Sequence, residues 1–538
     1  MQNESKVPVF KRGLLACTIV AFATFSAFWS SGNLHAEKAP QRGRIGQLGA
    51  MAGNPTNELD REYPVPESVR PHPTYDRILD AQLRAIIAEQ GLTGDPSAAR
   101  DLPSIDEPMA QLGKKMFFTK ALGGDGDSAC ATCHVPTLGG GDGLSLSIGV
   151  GAVDPDLVGP GRMHPSGQPT VPRNAPTTFN IAMWDKVQFW DGRVESLGGT
   201  PNREGNDGVG IRTPDAPFGE ADPHAGANLT IAQARFPVTS QDEMRGFTFE
   251  EGKGNGAARD HLAARLGDYG AGENELAVNG WQAECEAAFP GMDETELIID
   301  YDLISEAIGT YERSQVFVDT AWKAYVAGDS GAISETAKEG ALLFFRSVEQ
   351  GGAGCATCHS GDFFTDEEFY TLAVPQIGRG KGDGELSDED HGRARETKRA
   401  EDMYAFRTPT LLNVEVTGPY GHDGAYTTLE GMIRHHLDPV GIVERYDFAQ
   451  LEPDIPVMHT ERYTRAALAV LEAAMQDGQT PLQPVKLSDR QVDTLVDFLS
   501  ALTDPCVKDT ACLAPWMPSE NDVDPDGQRL LLRVAGSE

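Results

Sequence analysis

The sequence predicts a mainly α-helical protein whose second half repeats the plan of the first, with long irregular loops between the helices. The pentapeptide Cys-Ala-Thr-Cys-His occurs twice in the 538-residue chain, at 130–134 and at 355–359. A helical pattern of apolar residues precedes each copy, at 107–118 and at 334–346. Alternating patterns typical of strands are sparse. The repeated order of helix and pentapeptide therefore indicates two similar domains.

The repeated pentapeptide has the C-x-x-C-H spacing of covalent haem c attachment. In such a site the two thiols form thioethers with the porphyrin, and the histidine that follows binds the iron. A zinc knuckle or a redox-active C-x-x-C would need further paired ligands nearby, and neither copy has them. The sequence therefore predicts two covalently bound haem c groups in two cytochrome-c-like domains. The attachment residues are Cys130, Cys133, His134, Cys355, Cys358 and His359.

Further helices follow from apolar periodicity and from capping signals. An amphipathic helix is predicted at 75–90 and a longer helix at 297–318. Ser488 and Gln491 can form a capping box that begins the last clear helix, which suits a haem domain closed by a packed helix. Glycine, asparagine, aspartate and proline dominate 198–226, which predicts an inserted surface loop.

These patterns divide the chain into five parts. The charged stretch at 378–401 lies within the second haem domain and is predicted to be a solvated loop. The parts are a signal peptide at 1–36, an N-terminal extension at 37–104, a first haem c domain at 105–325 with an inserted loop at about 198–230, a second haem c domain at 326–505, and an acidic tail at 506–538.

The N-terminus predicts export to the periplasm. Lys6, Lys11 and Arg12 form a basic segment, and an apolar run follows from Leu14. Ala36 is a small residue at which cleavage can occur. An uncleaved membrane anchor is the alternative.

An oxidising compartment also fits the cysteines that lie outside the haem motifs. Cys506 and Cys512 are six residues apart and are predicted to form a disulfide. Cys17 lies in the signal segment, and Cys285 is expected to be a buried free thiol.

The net charge of −36 argues against a nucleic-acid partner, which would require basic patches. It permits attraction of a cationic electron donor, and a plain solvated acidic surface explains it equally well.

Beyond the haem motifs, five segments resemble the bacterial dihaem cytochrome c peroxidases and their MauG-type relatives. Their order and spacing match that family over about residues 105–505, apart from the insertion after Gly198. The segments are R-N-A-P-T-T-F-N at 173–180, Q-F-W-D-G-R at 188–193, the stretch at 237–244, F-R-T-P-T-L-L-N at 406–413 and G-P-Y-G-H-D-G at 418–424.

The resemblance implies a catalytic site at the first haem. The haem on His134 would be the peroxidatic one. Glu243 matches the family's acid–base glutamate, Gln233 its distal glutamine and His422 a histidine near that site. A carboxylate in this place could take a proton from one peroxide oxygen and return it to the other.

The resemblance also implies how the two halves communicate. Trp190 matches the tryptophan that lies between the two haems, so that electrons would pass from the haem on His359 to the first haem. An interdomain calcium ion is implied by matches at Asn174, Thr417 and Pro419.

Two positions depart from the family pattern. Where many members carry a histidine that blocks the first iron at rest, this chain has Val150, which cannot bind iron. The first haem should therefore be open, with His164 as the nearest alternative ligand. At the second haem, His436 matches the family's methionine or tyrosine ligand, which implies ligation by His359 and His436. His435 is adjacent, but on a helix its side chain points about 100° away.

Two haems in one long chain suggest an enzyme that relays electrons. The leading hypothesis is a cytochrome-c-peroxidase-like enzyme that reduces hydrogen peroxide to water with electrons from a small c-type cytochrome or a cupredoxin. A MauG-type enzyme that uses peroxide to oxidise a protein or small-molecule substrate is the first alternative. A non-enzymatic dihaem electron-transfer protein is the second, and Val150 disfavours it. The family resemblance also implies a homodimer.

Overall fold

The computed structural model describes residues 73–290 and 297–535, and helices are the main regular structure in that part of the chain. The expectation of a mainly α fold is confirmed. The predicted signal peptide at 1–36, Cys17 and the extension up to residue 72 lie outside the described residues. The boundaries of the two haem domains stay predictions.

The helices differ widely in length, and the strands form three small sheets. The helices are α1 (Pro73–Gln90), α2 (Pro108–Phe118), α3 (Cys130–Cys133), α4 (Leu229–Ala234), α5 (Asn255–Gly267), α6 (Trp281–Ala288), α7 (Tyr301–Arg313), α8 (Ala321–Val326), α9 (Glu335–Phe345), α10 (Ala394–Thr397), α11 (Leu429–Leu437), α12 (Pro439–Val443), α13 (Thr460–Gln476), α14 (Asp489–Ser500) and α15 (Thr510–Leu513). A parallel pair joins β1 (Leu157–Val158) to β7 (Arg533–Val534). Antiparallel pairing joins β2 (Val187–Gln188), β3 (Val194–Ser196) and β4 (Ile211–Arg212), and separately β5 (Phe369–Thr371) and β6 (Ala405–Arg407).

Four of the predicted helices are confirmed as α1, α2, α9 and α14. The predicted capping box begins α14. The Ser488 hydroxyl accepts a hydrogen bond from the Gln491 amide at 3.3 Å, and Gln491 Oε1 accepts one from the Ser488 amide at 3.0 Å.

The helix predicted at 297–318 is correct only in its middle, which is α7. Asp300 sets its start, because its carboxylate accepts a hydrogen bond from the Leu303 amide at 2.9 Å and so caps the first turn. Ile298 falls within the predicted helix, but it lies outside α7 and is 65% exposed.

In both halves, the helix before the pentapeptide crosses a second helix at a glycine. A Cβ atom at Gly113 of α2 would lie 1.8 Å from the carbonyl oxygen of Ala307 in α7. A Cβ atom at Gly340 of α9 would lie 1.8 Å from the carbonyl oxygen of Thr494 in α14. The backbones approach so closely that no side chain fits. The shared crossing agrees with the expectation that the second half repeats the plan of the first.

Two large apolar clusters surround these crossings. The first includes Phe117, Trp281 and Tyr311, and the second includes Trp322, Phe344 and Phe498. Helix α1 contributes Leu79, Leu83 and Ile87 to the second cluster, so the described end of the N-terminal extension packs with the C-terminal half.

The insertion at about 198–230 is more than a surface loop. It contains β4, and the buried Glu204 accepts hydrogen bonds from Thr230 Oγ1 at 2.6 Å and from Arg313 Nε at 2.7 Å. The insertion is therefore tied to α4 and to the end of α7.

The acidic tail is also packed. The predicted disulfide between Cys506 and Cys512 is present. Leu530 joins the first apolar cluster, and the Asp526 carboxylate accepts a hydrogen bond from Trp281 Nε1 at 2.8 Å. Cys285 is a buried free thiol, as expected. Within 73–290 and 297–535, no helix has the length and apolar character needed to cross a membrane.

Candidate active site

The first pentapeptide presents its histidine to a cavity. Helix α3 holds Cys130 and Cys133, and His134 follows it directly. The Nδ1–H group of His134 donates a hydrogen bond to the Gly140 carbonyl at 3.1 Å, which leaves Nε2 as the nitrogen that can bind a metal. Burial lowers the pKa of His134, so the ring is held neutral, as a metal ligand must be.

The cavity at this motif, called here the first cavity, brings together most of the predicted catalytic residues. Its walls include His134, Trp190, Gln233 and Glu243. Gln233 lies on α4, and its Oε1 is buried without a hydrogen-bond partner among the described residues. Glu243 is half-buried in a single wide helical turn, Gln241–Arg245. The orphan acceptor indicates a site built to receive a hydrogen-bond donor.

The loop that carries Val150 packs directly against the turn that carries Glu243. The Val150 amide donates a hydrogen bond to the Asp242 carbonyl at 3.3 Å, and a Cβ atom at Gly149 would lie 2.3 Å from that carbonyl oxygen. His164 lies beside Gly151, and its Nδ1 forms a hydrogen bond with the Ser166 hydroxyl at 2.7 Å. His164 is not among the described residues that line the first cavity.

The second pentapeptide opens on a larger, mainly apolar cavity, called here the second cavity. His359 Nδ1 lies 3.2 Å from the carbonyl oxygens of Phe364 and Pro409, which leaves Nε2 free. Burial lowers the pKa of His359 to about 4, and the neighbouring His436 acts in the same direction. The ring is therefore neutral and able to bind a metal.

His436 faces His359 across this cavity. The ring centroids are 6.2 Å apart, and the Nδ1–H group of His436 donates to the Met432 carbonyl at 2.9 Å. Two imidazoles that bind one metal ion from opposite sides through Nε2 have ring centres about 6 Å apart, given metal–nitrogen bonds of about 2.0–2.1 Å. The donor set and spacing thus fit a six-coordinate haem iron.

His435 is engaged elsewhere. The Tyr426 hydroxyl donates to its Nδ1 at 2.7 Å, and its Nε2–H group donates to the Leu372 carbonyl at 2.8 Å. Both ring nitrogens therefore have partners, and His435 is not one of the residues lining the second cavity.

Six of the described residues line both cavities: Asn174, Pro176, Thr177, Trp184, Trp190 and Arg407. The Nε1–H group of Trp190 donates to the Asn174 carbonyl at 3.0 Å. The Arg407 guanidinium lies 3.5 Å from the Trp184 ring centroid. Burial lowers the pKa of Arg407 to about 9. Aromatic rings and a buried cation thus occupy the space between the two motifs.

His422 is not one of the described residues that line the first cavity with Gln233 and Glu243. It lines the second cavity, where its ring stacks on Phe406 with centroids 3.6 Å apart. Burial lowers its pKa to about 3, which keeps the imidazole neutral. The Asn174 backbone amide donates to the His422 carbonyl at 3.0 Å, and Asn174 lines both cavities. The catalytic role of His422 stays a prediction.

The three predicted calcium residues all belong to the second cavity. Asn174, Thr417 and Pro419 all line it. The Asn174 amide nitrogen donates to the carbonyl oxygens of Leu144 and Ser145 at 3.0 and 3.3 Å. The calcium ion stays a prediction.

The expectation that 378–401 is a solvated loop is wrong for part of the segment. Ion pairs hold residues of this loop against the first half of the chain. Asp390 and Arg173 form a buried pair, with Arg173 Nε donating to the carboxylate at 2.7 Å. Arg379 pairs with Asp242, next to the predicted catalytic Glu243. Lys381 lines the first cavity, although sequence reasoning passed over it. The signal was the alternation of glycine with charge at 378–384.

A helical fold with two C-x-x-C-H turns, each presenting a histidine to its own cavity, defines a c-type haem protein. A family model described as di-haem cytochrome c peroxidase matches residues 107–331. The chain is therefore similar to the dihaem cytochrome c peroxidases and to MauG, and this similarity supports a peroxidase-type oxidoreductase with two c-type haems.

Curated relatives agree with this assignment. The methylamine utilization protein MauG of Methylorubrum extorquens is 29% identical over 365 residues, which cover 66% of this chain and 78% of that protein. Cytochrome c551 peroxidase of Pseudomonas aeruginosa is 27% identical over 330 residues, which cover 61% and 71%. The crystal structure of a MauG-like protein associated with microbial copper homeostasis is similar in fold, with a TM-score of 0.50 and 21% identity over 80% of this chain and 97% of that one.

Proposed function

We propose that this protein reduces hydrogen peroxide to water in the first cavity, with electrons that enter at the second motif. The observation that carries the proposal is the joint presence of His134, Glu243 and Gln233 around one cavity that contains an orphan hydrogen-bond acceptor. When bound, haem c supplies the redox-active iron at both motifs. The residues proposed to hold the two haems are Cys130, Cys133 and His134, and Cys355, Cys358, His359 and His436.

Glu243 is proposed to act as the general acid–base. Its carboxylate takes the proton from one oxygen of the peroxide and delivers a proton to the other oxygen, which leaves as water. Gln233 Oε1 accepts a hydrogen bond from peroxide and so orients it. Val150 stands where many members of the family have a histidine that blocks the first iron at rest. Peroxide would therefore not have to displace a side-chain ligand. Peroxide, two electrons and two protons together give two water molecules.

Trp190 is proposed to connect the two motifs electronically. Its position on the walls of both cavities, with its indole held by the Asn174 carbonyl, supports that role. Calcium held by Asn174, Thr417 and Pro419 would tie the same region together. His422, which lines the second cavity, is proposed to position neighbouring groups rather than to touch peroxide.

The electron donor is proposed to be a small c-type cytochrome or a cupredoxin. The net charge of −36 supports a donor with a cationic docking face, because opposite charges steer association. The N-terminal signal pattern at 1–36 supports a periplasmic location, and a homodimer is the proposed assembly.

Steady-state oxidation of a reduced c-type cytochrome by hydrogen peroxide tests this function. Glu243→Gln removes the base while it keeps the shape of the side chain, so turnover should fall by about 100-fold or more. Glu251→Gln is the matched control, because Glu251 is exposed and lies outside the first cavity. Peroxide-independent turnover, or full activity in Glu243→Gln, would rule out the proposed chemistry.

A MauG-type activity on a protein or small-molecule substrate is the second candidate. The similarity to MauG and a histidine, rather than methionine, facing His359 favour it. It predicts that peroxide alone leaves a long-lived oxidised form of the enzyme, visible by absorption, and that reduced cytochrome c is a poor substrate. Rapid decay of that form together with fast cytochrome oxidation would exclude it.

A further inference from the structure

Lys381 lines the first cavity, but neither the sequence analysis nor the proposed mechanism gives it a role. It lies on the walls of the same cavity as Glu243, Gln233 and His134. Its Nζ has no hydrogen bond or ion pair with any residue in the described part of the chain. A primary amine without a partner among the described residues therefore belongs to a residue of a cavity wall that also contains an orphan acceptor, Gln233 Oε1.

The backbone around Lys381 is held in place on both sides. The flanking residues Gly380 and Gly382 have φ values of +56° and +80°, and a Cβ atom at Gly380 would lie 2.3 Å from the Asp388 carbonyl oxygen. The Lys381 amide donates to the Glu389 carbonyl at 3.0 Å. These constraints fix the backbone position from which the half-buried Lys381 side chain starts.

Ion pairs then fasten this segment to the turn that carries Glu243. Arg379 pairs with Asp242 and also donates to the Thr170 carbonyl at 2.7 Å. Asp390 pairs with Arg173 on the first half. Lys381 therefore reaches the cavity on a segment that is anchored to the same wall as the proposed acid–base residue.

We infer that Lys381 is a further residue of the peroxide site, where its ammonium group donates a hydrogen bond to substrate oxygen and stabilises the negative charge that develops when Glu243 takes the proton. Hydrogen peroxide both donates and accepts hydrogen bonds, so Gln233 Oε1 and Lys381 Nζ can bind it from two sides. The inference rests on the proposed peroxidase function and adds a cation to it.

The charges around Lys381 leave its side chain mainly in the ammonium form, which can donate hydrogen bonds. Burial lowers the pKa of Lys381 to about 8, and Arg193 and Arg173 act in the same direction. Glu243 and Asp191 oppose them and favour the ammonium form. The side chain is therefore mainly protonated at neutral pH, and an anion in the cavity would strengthen that state.

Ligand binding to the oxidised holoenzyme tests the inference without turnover. Fluoride is a small anion that accepts hydrogen bonds, whereas imidazole is a neutral ligand for the same open iron position. Lys381→Met should weaken fluoride binding by about tenfold or more, since a charge-assisted hydrogen bond is lost, and should leave imidazole binding within about twofold. Lys381→Arg should restore most of the fluoride affinity because it returns the charge and the donors.

Lys398→Met is the matched control, since Lys398 is an exposed lysine of the same loop and lies outside the cavity. Equal weakening of fluoride and imidazole in Lys381→Met would show a merely structural role and overturn the inference. So would unchanged fluoride binding, or an equal loss in Lys398→Met. If Lys381→Met fails to incorporate haem, Lys381→Gln gives the same comparison.

Kinetics separate this inference from the proposed function. In a peroxidase, Lys381→Met should lower kcat/KM for peroxide more than Lys398→Met does, with a rise in KM because a hydrogen bond to bound peroxide is lost, while Glu243→Gln acts mainly on kcat. If the wild-type enzyme shows no peroxide-dependent turnover, the proposed function fails. The fluoride and imidazole titrations would still decide whether Lys381 acts in the first cavity.

Discussion

The ion pair between Asp390 and Arg173 is expected to hold the 378–401 loop, with its Lys381, against the first half of the chain. The two residues are 217 positions apart and both are buried. Arg173 donates from Nε at 2.7 Å and from Nη2 at 2.8 Å to the two carboxylate oxygens of Asp390. Asp390→Asn removes the charge while it keeps the shape, and Arg173 retains a second partner in Asp191.

The size of the effect follows from the pKa of Asp390. Burial alone would raise it, but the Arg173 guanidinium outweighs burial and lowers the pKa from 3.8 to about 2. That difference corresponds to about 2 kcal/mol of folding free energy, and breaking a buried pair adds the cost of an under-compensated charge. We expect Asp390→Asn to lower the free energy of unfolding by about 2–3 kcal/mol at pH 7.

The sign of the pH dependence follows from the same values. A carboxylate with a depressed pKa stabilises the folded state above its ordinary pKa, and this stabilisation is lost as the pH falls towards 2. The difference between wild type and Asp390→Asn should therefore be complete at pH 5 and above. It should shrink by about half at pH 3.

Urea unfolding of the holoprotein, followed by circular dichroism, measures both effects. Glu385→Gln is the control, because Glu385 lies in the same loop and pairs with Arg462 of α13, and both side chains are exposed. A surface pair of this kind contributes about 0–1 kcal/mol. Equal stability of Asp390→Asn and wild type at pH 7, or a difference as large at pH 3 as at pH 7, would refute the assignment of this pair as the anchor of the loop.

Three further changes test the second cavity, the link between the motifs and the helix crossings. His436→Ala should convert the second haem to a high-spin EPR signal, whereas His435→Gln should keep the low-spin signal because both nitrogens of His435 already have partners; the opposite result would exchange their roles. Trp190→Phe should slow electron transfer between the two motifs in stopped-flow reduction while haem content stays normal, and an unchanged rate would remove the tryptophan from the path. Gly340→Ala should destabilise the protein by more than about 3 kcal/mol because backbone must move, whereas Gly256→Ala on α5 should be neutral or stabilising by up to about 1 kcal/mol; comparable Cm values in urea would contradict this.

Features that depend on near neighbours could be predicted from the sequence. The C-x-x-C-H turns are covalent signatures within five residues, and α14 begins where Ser488 and Gln491 can cap it. Helix α7 shows the limit of such reasoning. Apolar periodicity continued to Ile298, but the Asp300 cap begins the helix later. The Asp300 hydrogen bond decides where the helix begins because it satisfies a backbone amide of the first turn. The pattern of apolar residues carries no information about that bond.

The sequence by itself therefore determined the haem motifs, the helical character and the residue types of the proposed site. The tertiary structure decided which of those residues meet. It placed His436 rather than His435 opposite His359, and it brought Lys381 from a loop predicted to be solvated to the wall of the first cavity. The position of that loop depends on partners 217 positions apart, Arg173 and Asp390, whose interaction forms only once the chain has folded.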